Sequence, residues 1–308
     1  MKKLIIWYGQ KQKRNISKRL QRQKSKRRKR RRMEFDEKKK KLVEMMDKLA
    51  ENDVFLAFSG GVDSSLLLKL ACSSALKTGK QVYAVTFSTR LHPPCDMDNA
   101  EKVAKELGGK HVVLKIDELE QEEIRHNPPE RCYLCKKHLF SQLRAFGEEK
   151  NGEIFLDGTN SDDLKEYRPG LRALKELSVI SPLAECRLTK EEVRCLAAEY
   201  GISAAKRPSA PCMATRLPYG AVIDYDILDK ISSGESLIRS YVEGNVRLRL
   251  HGDVARIEID KHEFFKFLGK SGEITEGLKK LGVSYVTLDM EGFRSGSMDI
   301  YVKENTEQ

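Results

Sequence analysis

Long hydrophobic runs are missing from the sequence, since no apolar stretch approaches the 18 or so residues that a membrane-spanning helix needs. A disulfide framework is not indicated either, because the seven cysteines are odd in number and scattered along a chain of 308 residues. Both absences favour a cytoplasmic protein that works in a reducing compartment and has no membrane partner. The separate cysteines Cys72, Cys186 and Cys195 are expected to be structural.

Positive charge is scarce outside the first 32 residues, although the formal net charge of the chain is +11. Residues 1–32 hold 16 lysines and arginines and no acid, whereas the other 276 residues carry 41 basic and 46 acidic side chains. This basic tail is predicted to be disordered and could bind polyanions nonspecifically. We expect the mature chain to start at Met33, which leaves a mildly acidic body with no specific nucleic-acid partner.

A Walker lysine is missing from the glycine-rich segment at 59–65, and its glycine spacing is not that of a dinucleotide-binding fold. The segment follows an apolar run at 54–58 and opens a stretch, 64–75, with leucines at helical spacing. Adjacent glycines let the backbone approach a ligand closely, and hydroxyls beside a helix N-terminus can hold an anion. Strand, loop and helix together predict a phosphate-binding site.

The loop sequence SGGVDSS resembles the SGGxDS signature of the PP-loop ATP pyrophosphatases. This resemblance implies that the loop holds the pyrophosphate of ATP while an acceptor oxygen is adenylylated. It also implies that Asp63 helps to place Mg²⁺. ATP and Mg²⁺ are therefore expected cofactors, and the expected ligands are Ser59, Gly60, Gly61, Asp63, Ser64 and Ser65.

Strands alternate with helices through the first two thirds of the chain. Strands are predicted at 54–58, 81–88, 111–116 and 153–156, with a lead-in helix at 34–50 and further helices at 64–75, at 98–107 and after the DGTN turn at 157–160. This alternation predicts an α/β fold with a parallel sheet, and a ligand at the carboxyl ends of its strands. The phosphate loop lies at that edge of the predicted sheet.

The pattern changes after residue 219. The expected elements are helices at 225–241, 262–268 and 273–281, and strands at 246–250, 255–259 and 285–288. We therefore divide the chain into the tail at 1–32, a PP-loop ATP-binding domain at 33–215 and a smaller C-terminal α+β domain at 216–308. The smaller domain has no nucleotide signature, so substrate closure and oligomer contacts are its expected roles.

Three cysteines lie in two motifs that the fold alone does not explain. Cys132 and Cys135 form a C-x-x-C just after a proline-rich turn, and Cys212 stands alone in a loop between the two predicted domains. If the three thiolates converge, they could hold a [4Fe–4S] cluster and leave its fourth iron open. A zinc site is the alternative and would need a fourth ligand, for which His138 is the nearest candidate.

The chain from about residue 33 to 301 resembles the LarE family of ATP-dependent sulfur transferases, which make the nickel-pincer nucleotide cofactor. The matching motifs span both predicted domains: SGGVDSS, NPPERCYLCK, DGTN with the following run to Gly170, the segment from SPL to TKEEVR, PSAPCMATRLPYG and VRLRLHGDVARIE. The resemblance implies that a carboxylate of a pyridinium dicarboxylate mononucleotide is adenylylated, and that sulfur then displaces AMP to give a thiocarboxylate. It also implies a homo-oligomer.

By this resemblance Cys212 occupies the position of the family's sulfur-carrying cysteine and is, with Asp63, an expected catalytic residue. Some members of the family sacrifice that residue to dehydroalanine. Members with an additional C-x-x-C pair are taken to use a cluster-bound sulfide instead. Because Cys132 and Cys135 are both present, we favour the cluster and keep the sacrificial route open.

A substrate-phosphate site is expected around two arginines of one predicted strand. Arg247 and Arg249 alternate along it and so share a face, where two guanidinium groups could hold a phosphate. The family resemblance puts the substrate phosphate there. Glu235 and Glu258 are expected nearby, with surface charges as the equally weighted alternative, and Arg216 beside the cysteine loop is a further candidate.

Other functions remain open at this point. A tRNA thiolase would also combine the loop with cysteines, but the acidic body and the absence of a recognisable RNA-binding appendage disfavour it. A ligase similar to NAD or GMP synthetase would leave the three cysteines unexplained. A polyanion-binding protein built on the basic tail would lose its function on truncation to Met33.

Overall fold

The structure, a computed structural model, describes residues 32–91, 95–165, 169–203, 212–294 and 296–298. The basic tail therefore lies outside the described residues apart from its last position. Within the described ranges no helix combines the length and the apolar character that a membrane crossing requires.

The first sheet has four parallel strands in the order β3-β2-β1-β4. Its strands are β1 (Val54–Ala57), β2 (Val82–Ser88), β3 (Lys110–Lys115) and β4 (Ile154–Leu156). The helices around it are α1 (32–49), α2 (Val62–Thr78), α3 (Cys95–Leu107), α4 (Glu122–Arg125), α5 (Arg131–Glu148), α6 (Gly170–Glu176), α7 (Pro182–Glu185) and α8 (Lys190–Glu199). This arrangement confirms the predicted α/β fold with a parallel sheet.

Side chains of β1 point alternately to the two faces of this sheet, as the period of a strand requires. Val54 and Leu56 belong to a buried cluster with leucines of α2, alanines of α3 and apolar residues of α8. Phe55 belongs to a second cluster on the other face, with aromatic side chains and Leu143 of α5. The sheet is therefore covered on both faces, which explains why its central strands read as continuous apolar runs.

A smaller second sheet follows, in the order β5-β6-β7. The elements of this part are α9 (Tyr225–Arg239), β5 (Val246–His251), β6 (Val254–Ile259), α10 (Phe264–Leu268), α11 (Ser271–Lys280) and β7 (Tyr285–Leu288). β5 and β6 form an antiparallel hairpin, and β7 pairs in parallel with β6. One buried cluster joins α9 and α11 to this sheet. The predicted mixture of helices and strands after residue 219 is confirmed.

Two helices that shape the site were not predicted. α5 carries the C-x-x-C pair and packs its apolar side on the sheet, and α8 packs beside α2. The start of α8 had a sequence signal, because Thr189 and Glu192 form a capping box, with the Thr189 hydroxyl accepting from the Glu192 backbone N–H. The charged helix expected after the turn at 157–160 is only a 3₁₀ turn, Asp163–Lys165, and α6 begins at Gly170.

Candidate active site

The glycine-rich loop joins β1 to the N-terminus of α2, as its sequence predicts. Gly60 has a φ of +68°, and a Cβ there would lie 2.9 Å from the Cα of Ala100 on α3. Only glycine fits this position without a shift of the backbone. The Ser64 hydroxyl donates to the carbonyl of Gly61 at 3.2 Å and accepts from the N–H of Ser59 at 3.4 Å, so the loop is held by its own side chains.

The helix start also contains a polar atom without a partner. Ser65 is fully buried, and its hydroxyl makes no hydrogen bond with the described residues. Buried hydroxyls are normally paired, so an unpaired one beside a loop of this kind fits a site that is completed by a ligand. Ser59 lines the cleft described below, which places the loop at its wall.

Asp63, in the first turn of α2, is paired with a residue that the sequence analysis did not single out. Its Oδ2 makes a short ion pair with the Nζ of Lys190, and its Oδ1 accepts from the side-chain amide of Asn160 at 3.3 Å. Lys190 is the first residue of α8, and its backbone N–H donates to Asp162 at 2.8 Å. The TKEEVR motif therefore supplies a lysine to the phosphate loop, although the two residues lie 127 positions apart.

The turn at 157–160 reaches the same place. Asp157 is 4% exposed and accepts from the hydroxyls of Thr159 and Ser181. It also lies 3.3 Å from the Nζ of Lys136, a residue of α5. Asp157 and Lys136 both line the cleft, so a second lysine stands near the phosphate loop.

A cleft of about 790 Å³ runs from the phosphate loop toward the C-terminal part of the chain. Its wall includes the ends of β1 and β2, one side of α5, the turn at Asp157, the segment that begins at Cys212, and part of α9. It lies at the carboxyl ends of the parallel strands, where α/β proteins bind their ligands. Its volume is within the usual range for a small-molecule site.

All three predicted cysteines line this one cleft: Cys132, Cys135 and Cys212. Cys132 is exposed, whereas the other two are partly buried. Burial raises the pKa of the Cys212 thiol, and the nearby Arg131 guanidinium opposes that rise. Burial also raises the pKa of Cys135 well above its usual value, and the neighbouring Cys212 raises it further. The three thiols therefore share one cleft, and their role there remains a prediction.

The described side chains contain no group of three His, Cys, Asp or Glu residues arranged to hold a single metal ion. The zinc alternative therefore finds no ligand set among them, with or without His138. A four-iron cluster is a separate case, because each thiolate binds a different iron atom.

The motif that precedes the C-x-x-C pair ties α5 to the cysteine loop. Asn127 is fully buried and adopts a φ of +48°. Its side-chain amide donates to the carbonyls of Leu217 at 3.3 Å and Pro218 at 2.7 Å, and its own carbonyl accepts from the N–H of Gly220 at 3.0 Å. These bonds hold the segment after Cys212 against the N-terminal end of α5.

Two buried ion pairs support the Cys212 turn from the other side. Arg216 makes a bidentate pair with Glu235 at 2.8 and 3.2 Å, and Arg249 makes one with Glu258 at 3.2 and 2.9 Å. Arg216 also donates to the carbonyl of Cys212 at 3.2 Å, and Arg249 donates to that of Thr215 at 2.7 Å. Glu235 and Glu258 are buried, so the interpretation of these two residues as surface charges is wrong.

Arg247 differs from its two neighbours, because the described residues give it no carboxylate partner. Its guanidinium donates to the carbonyl of Val246 at 2.7 Å and lies over the ring of Phe293. Burial, together with the nearby charge of Arg216, lowers the pKa of Arg247 to about 10. The structure therefore brings together the five residues predicted to bind substrate, and two of the three arginines are paired with the two glutamates, which leaves Arg247. None of the five residues lines the cleft.

Glu118 is a further residue that the sequence did not reveal. It is fully buried and acts electrostatically on Cys135 and Cys212. The pKa of Glu118 is raised to about 7 from an ordinary value of 4.5, mainly because the side chain is buried, and the Thr89 hydroxyl opposes part of this rise. Neither carboxylate oxygen makes a well-formed hydrogen bond with the described residues. A buried carboxyl without a nearby positive charge favours its neutral form, because burial disfavours the charged form.

Glu118 should make stability depend on pH. The folded protein binds more protons than the unfolded chain between pH 4.5 and about 7, so stability falls as pH rises through that window. Glu118→Gln removes this effect and should raise the free energy of unfolding at pH 8 by up to about 3 kcal/mol, with little change at pH 4.5. Urea unfolding at both pH values measures it, with the exposed Glu120→Gln as control. An equal change at both pH values would mean that Glu118 stays charged.

Comparisons with known proteins show which family the chain resembles. A model of the PP-loop domain matches residues 34–168. The chain is 35% identical over 246 residues to pyridinium-3,5-bisthiocarboxylic acid mononucleotide synthase of Lactiplantibacillus plantarum, covering 80% of this chain and 88% of that protein. It is also 35% identical over 260 residues to an uncharacterised protein of Methanocaldococcus jannaschii, covering 83% and 98%. A tRNA-specific 2-thiouridylase of Rickettsia bellii is 27% identical over 195 residues, about half of each chain.

The phosphate loop, the parallel sheet and the matched domain place the chain among the PP-loop ATP-binding proteins. The matches to the L. plantarum and M. jannaschii proteins run over 246 and 260 residues, so they are longer than the PP-loop domain, and they cover 88% and 98% of those relatives. The chain belongs to the LarE family, and it is an ATP-dependent sulfur-transferring enzyme.

Proposed function

We propose that the protein adenylylates a carboxylate of a pyridinium dicarboxylate mononucleotide and replaces AMP with sulfur, forming a thiocarboxylate for the nickel-pincer cofactor. One observation carries this proposal: the same cleft is lined by Ser59 of the phosphate loop and by Cys132, Cys135 and Cys212. Activation by ATP and delivery of sulfur can therefore act on one bound carboxylate. The name of the relative from L. plantarum supports the choice of substrate.

In the first step a carboxylate oxygen attacks the α-phosphorus of ATP, and pyrophosphate leaves. The phosphate loop holds the departing group, and Asp63 is the proposed Mg²⁺ ligand. Lys136 and Lys190 stand near the loop and can balance the charge that develops on the phosphates. The product is a mixed anhydride, whose AMP group leaves far more readily than an oxide would.

In the second step sulfur attacks the activated carbonyl carbon, and AMP leaves. A [4Fe–4S] cluster held by Cys132, Cys135 and Cys212 would supply an open iron that carries the sulfide. The alternative donor is the Cys212 sulfur itself: it would displace AMP to form a thioester, and loss of the α-proton with cleavage of the Cβ–Sγ bond would then release the thiocarboxylate and leave dehydroalanine at position 212. Arg247, the arginine without a carboxylate partner, is the proposed contact for the substrate phosphate, in a network with Arg216, Arg249, Glu235 and Glu258.

The remaining parts of the proposal are a cytoplasmic location, assembly into a homo-oligomer and no specific nucleic-acid partner. A tRNA thiolase is the second candidate, supported by the relative from R. bellii over about half of the chain. The match to the L. plantarum protein over 80% of the chain favours the mononucleotide substrate instead. Incubation with the pyridinium mononucleotide and with tRNA, each with ATP and a sulfide source, separates the two by mass spectrometry of the products.

The cluster is tested by anaerobic purification of the full chain and of a version that starts at Met33. Iron, acid-labile sulfide and zinc are assayed in wild type and in Cys132→Ala. We expect about four irons with matching sulfide in wild type and a large loss in the variant. Zinc instead of iron would make the cysteines structural, whereas no metal in protein kept reduced throughout would assign the sulfur to Cys212. If the full chain and the version that starts at Met33 form thiocarboxylate equally well, this activity does not depend on the basic tail.

A further inference from the structure

Arg131, the first residue of α5, is a buried cation with no acidic partner among the described residues. It is 3% exposed, and no carboxylate of the described residues lies within ion-pair distance of its guanidinium. Its hydrogen bonds go to neutral groups, the side-chain carbonyl of Asn127 and the backbone carbonyl of Ala214. A buried charge is costly unless an opposite charge balances it, so this guanidinium needs an anion that the protein's acids do not supply.

One of the groups beside the guanidinium is a sulfur atom. Its Nη2 lies 3.7 Å from the Sγ of Cys132. Cys132 and Cys212 are 80 positions apart in sequence, yet Arg131 contacts both cysteine-bearing segments. It contacts Cys132 directly, and it contacts Ala214, which lies two residues after Cys212.

We propose that Arg131 is a positioning residue whose fixed positive charge balances anionic sulfur at the cysteine end of the cleft. Its hydrogen bond to the Ala214 carbonyl, at 3.5 Å, links α5 to the Cys212 segment, and its charge attracts small anions to the sulfur atoms. Arginine suits this role, because its charge persists on burial and its planar group donates in several directions at once. Hydrosulfide is such an anion. The inference rests on the proposed function only in taking these cysteines as the sulfur site.

The test measures charge selectivity, with no ATP or substrate present. The reduced full-length protein, treated with a chelator, is alkylated at one pH with either anionic iodoacetate or neutral iodoacetamide. Mass spectrometry gives the rate at each cysteine. Both reagents attack the same thiolate, so their rate ratio cancels the fraction of thiolate and reports the local charge. Cys195, which is exposed on α8, is the internal reference.

We expect the iodoacetate to iodoacetamide ratio at Cys132 to exceed that at Cys195 and to fall by at least about fivefold in Arg131→Met. Arg131→Lys should keep most of the ratio, because it keeps the charge. Lys137→Met, which removes an exposed charge from the same helix, should leave the ratio within twofold. An unchanged ratio in Arg131→Met, or an equal fall in the Lys137 control, would overturn the proposal.

A measurement on the wild-type protein covers the case in which Arg131→Met does not fold. Raising the salt concentration from about 0.02 M to about 0.5 M screens charge, so the ratio at Cys132 should fall severalfold and that at Cys195 should change less. A salt-independent ratio at Cys132 would contradict the proposal. Failure here would leave thiocarboxylate synthesis untouched, and failure of that synthesis would leave this ratio unchanged, so the two results are independent.

Discussion

Asp63→Asn should lower the rate of ATP-dependent AMP formation by about a thousandfold, with the fold intact. The asparagine is nearly the same size and can still accept from Asn160. It has no negative charge, so it cannot balance Lys190 or bind Mg²⁺ as a carboxylate does. Release of pyrophosphate and formation of AMP, followed across a range of Mg²⁺ concentrations, measure the effect.

Two further variants separate the contributions at this position. Asp162→Asn is the control, because Asp162 also contacts Lys190 by accepting from its backbone N–H, and the side-chain oxygen of asparagine can keep that hydrogen bond. AMP formation in this variant should change less than about threefold. Lys190→Met should lower the rate by about a hundredfold if the lysine helps to hold the phosphates. Normal rates and normal Mg²⁺ dependence in Asp63→Asn would show that this carboxylate is not the metal ligand.

Cys212→Ala should abolish thiocarboxylate formation while the adenylylated intermediate and AMP still form. The substitution removes only the sulfur, which both donor routes require. The carbonyl of residue 212 still accepts from Arg216 and from the Thr215 hydroxyl, so the turn should keep its shape. Trapping the acyl adenylate with hydroxylamine and measuring the thiocarboxylate by mass spectrometry separate the two steps.

The control for this variant is Cys195→Ala, which changes an exposed cysteine on α8 and should leave both steps within twofold. If Cys212→Ala lost adenylylation together with sulfur transfer, the cysteine would be structural and the proposed order of steps would lose its support. If thiocarboxylate formation survived at near the normal rate, the sulfur would not pass through this residue.

Some sequence predictions did not match the structure, and each mismatch has a local cause. Cys195, expected to be structural, is exposed, because the helix that carries it turns that position outward. The C-x-x-C pair follows a proline-rich turn, as predicted, but the helix α5 that carries it was not predicted. Pro128 and Pro129 precede the first turn of this helix, where proline does not disturb it. The predicted domain division at residue 215 remains a prediction, although the buried cluster of the second sheet also includes Met213 and Ala214.

The phosphate loop, the alternating strands and helices, and the cysteines and arginines proposed for the site can be read from the amino-acid sequence. These features depend on neighbouring residues: two glycines in a turn, leucines at helical spacing, apolar runs in strands. Which distant side chains meet depends on the tertiary structure. The pairing of Lys190 with Asp63, the burial of Glu118 near Cys212 and the position of Arg131 between two cysteine segments join residues roughly 80 to 130 positions apart. No local pattern encodes such contacts, because they arise from how helices pack on the sheet.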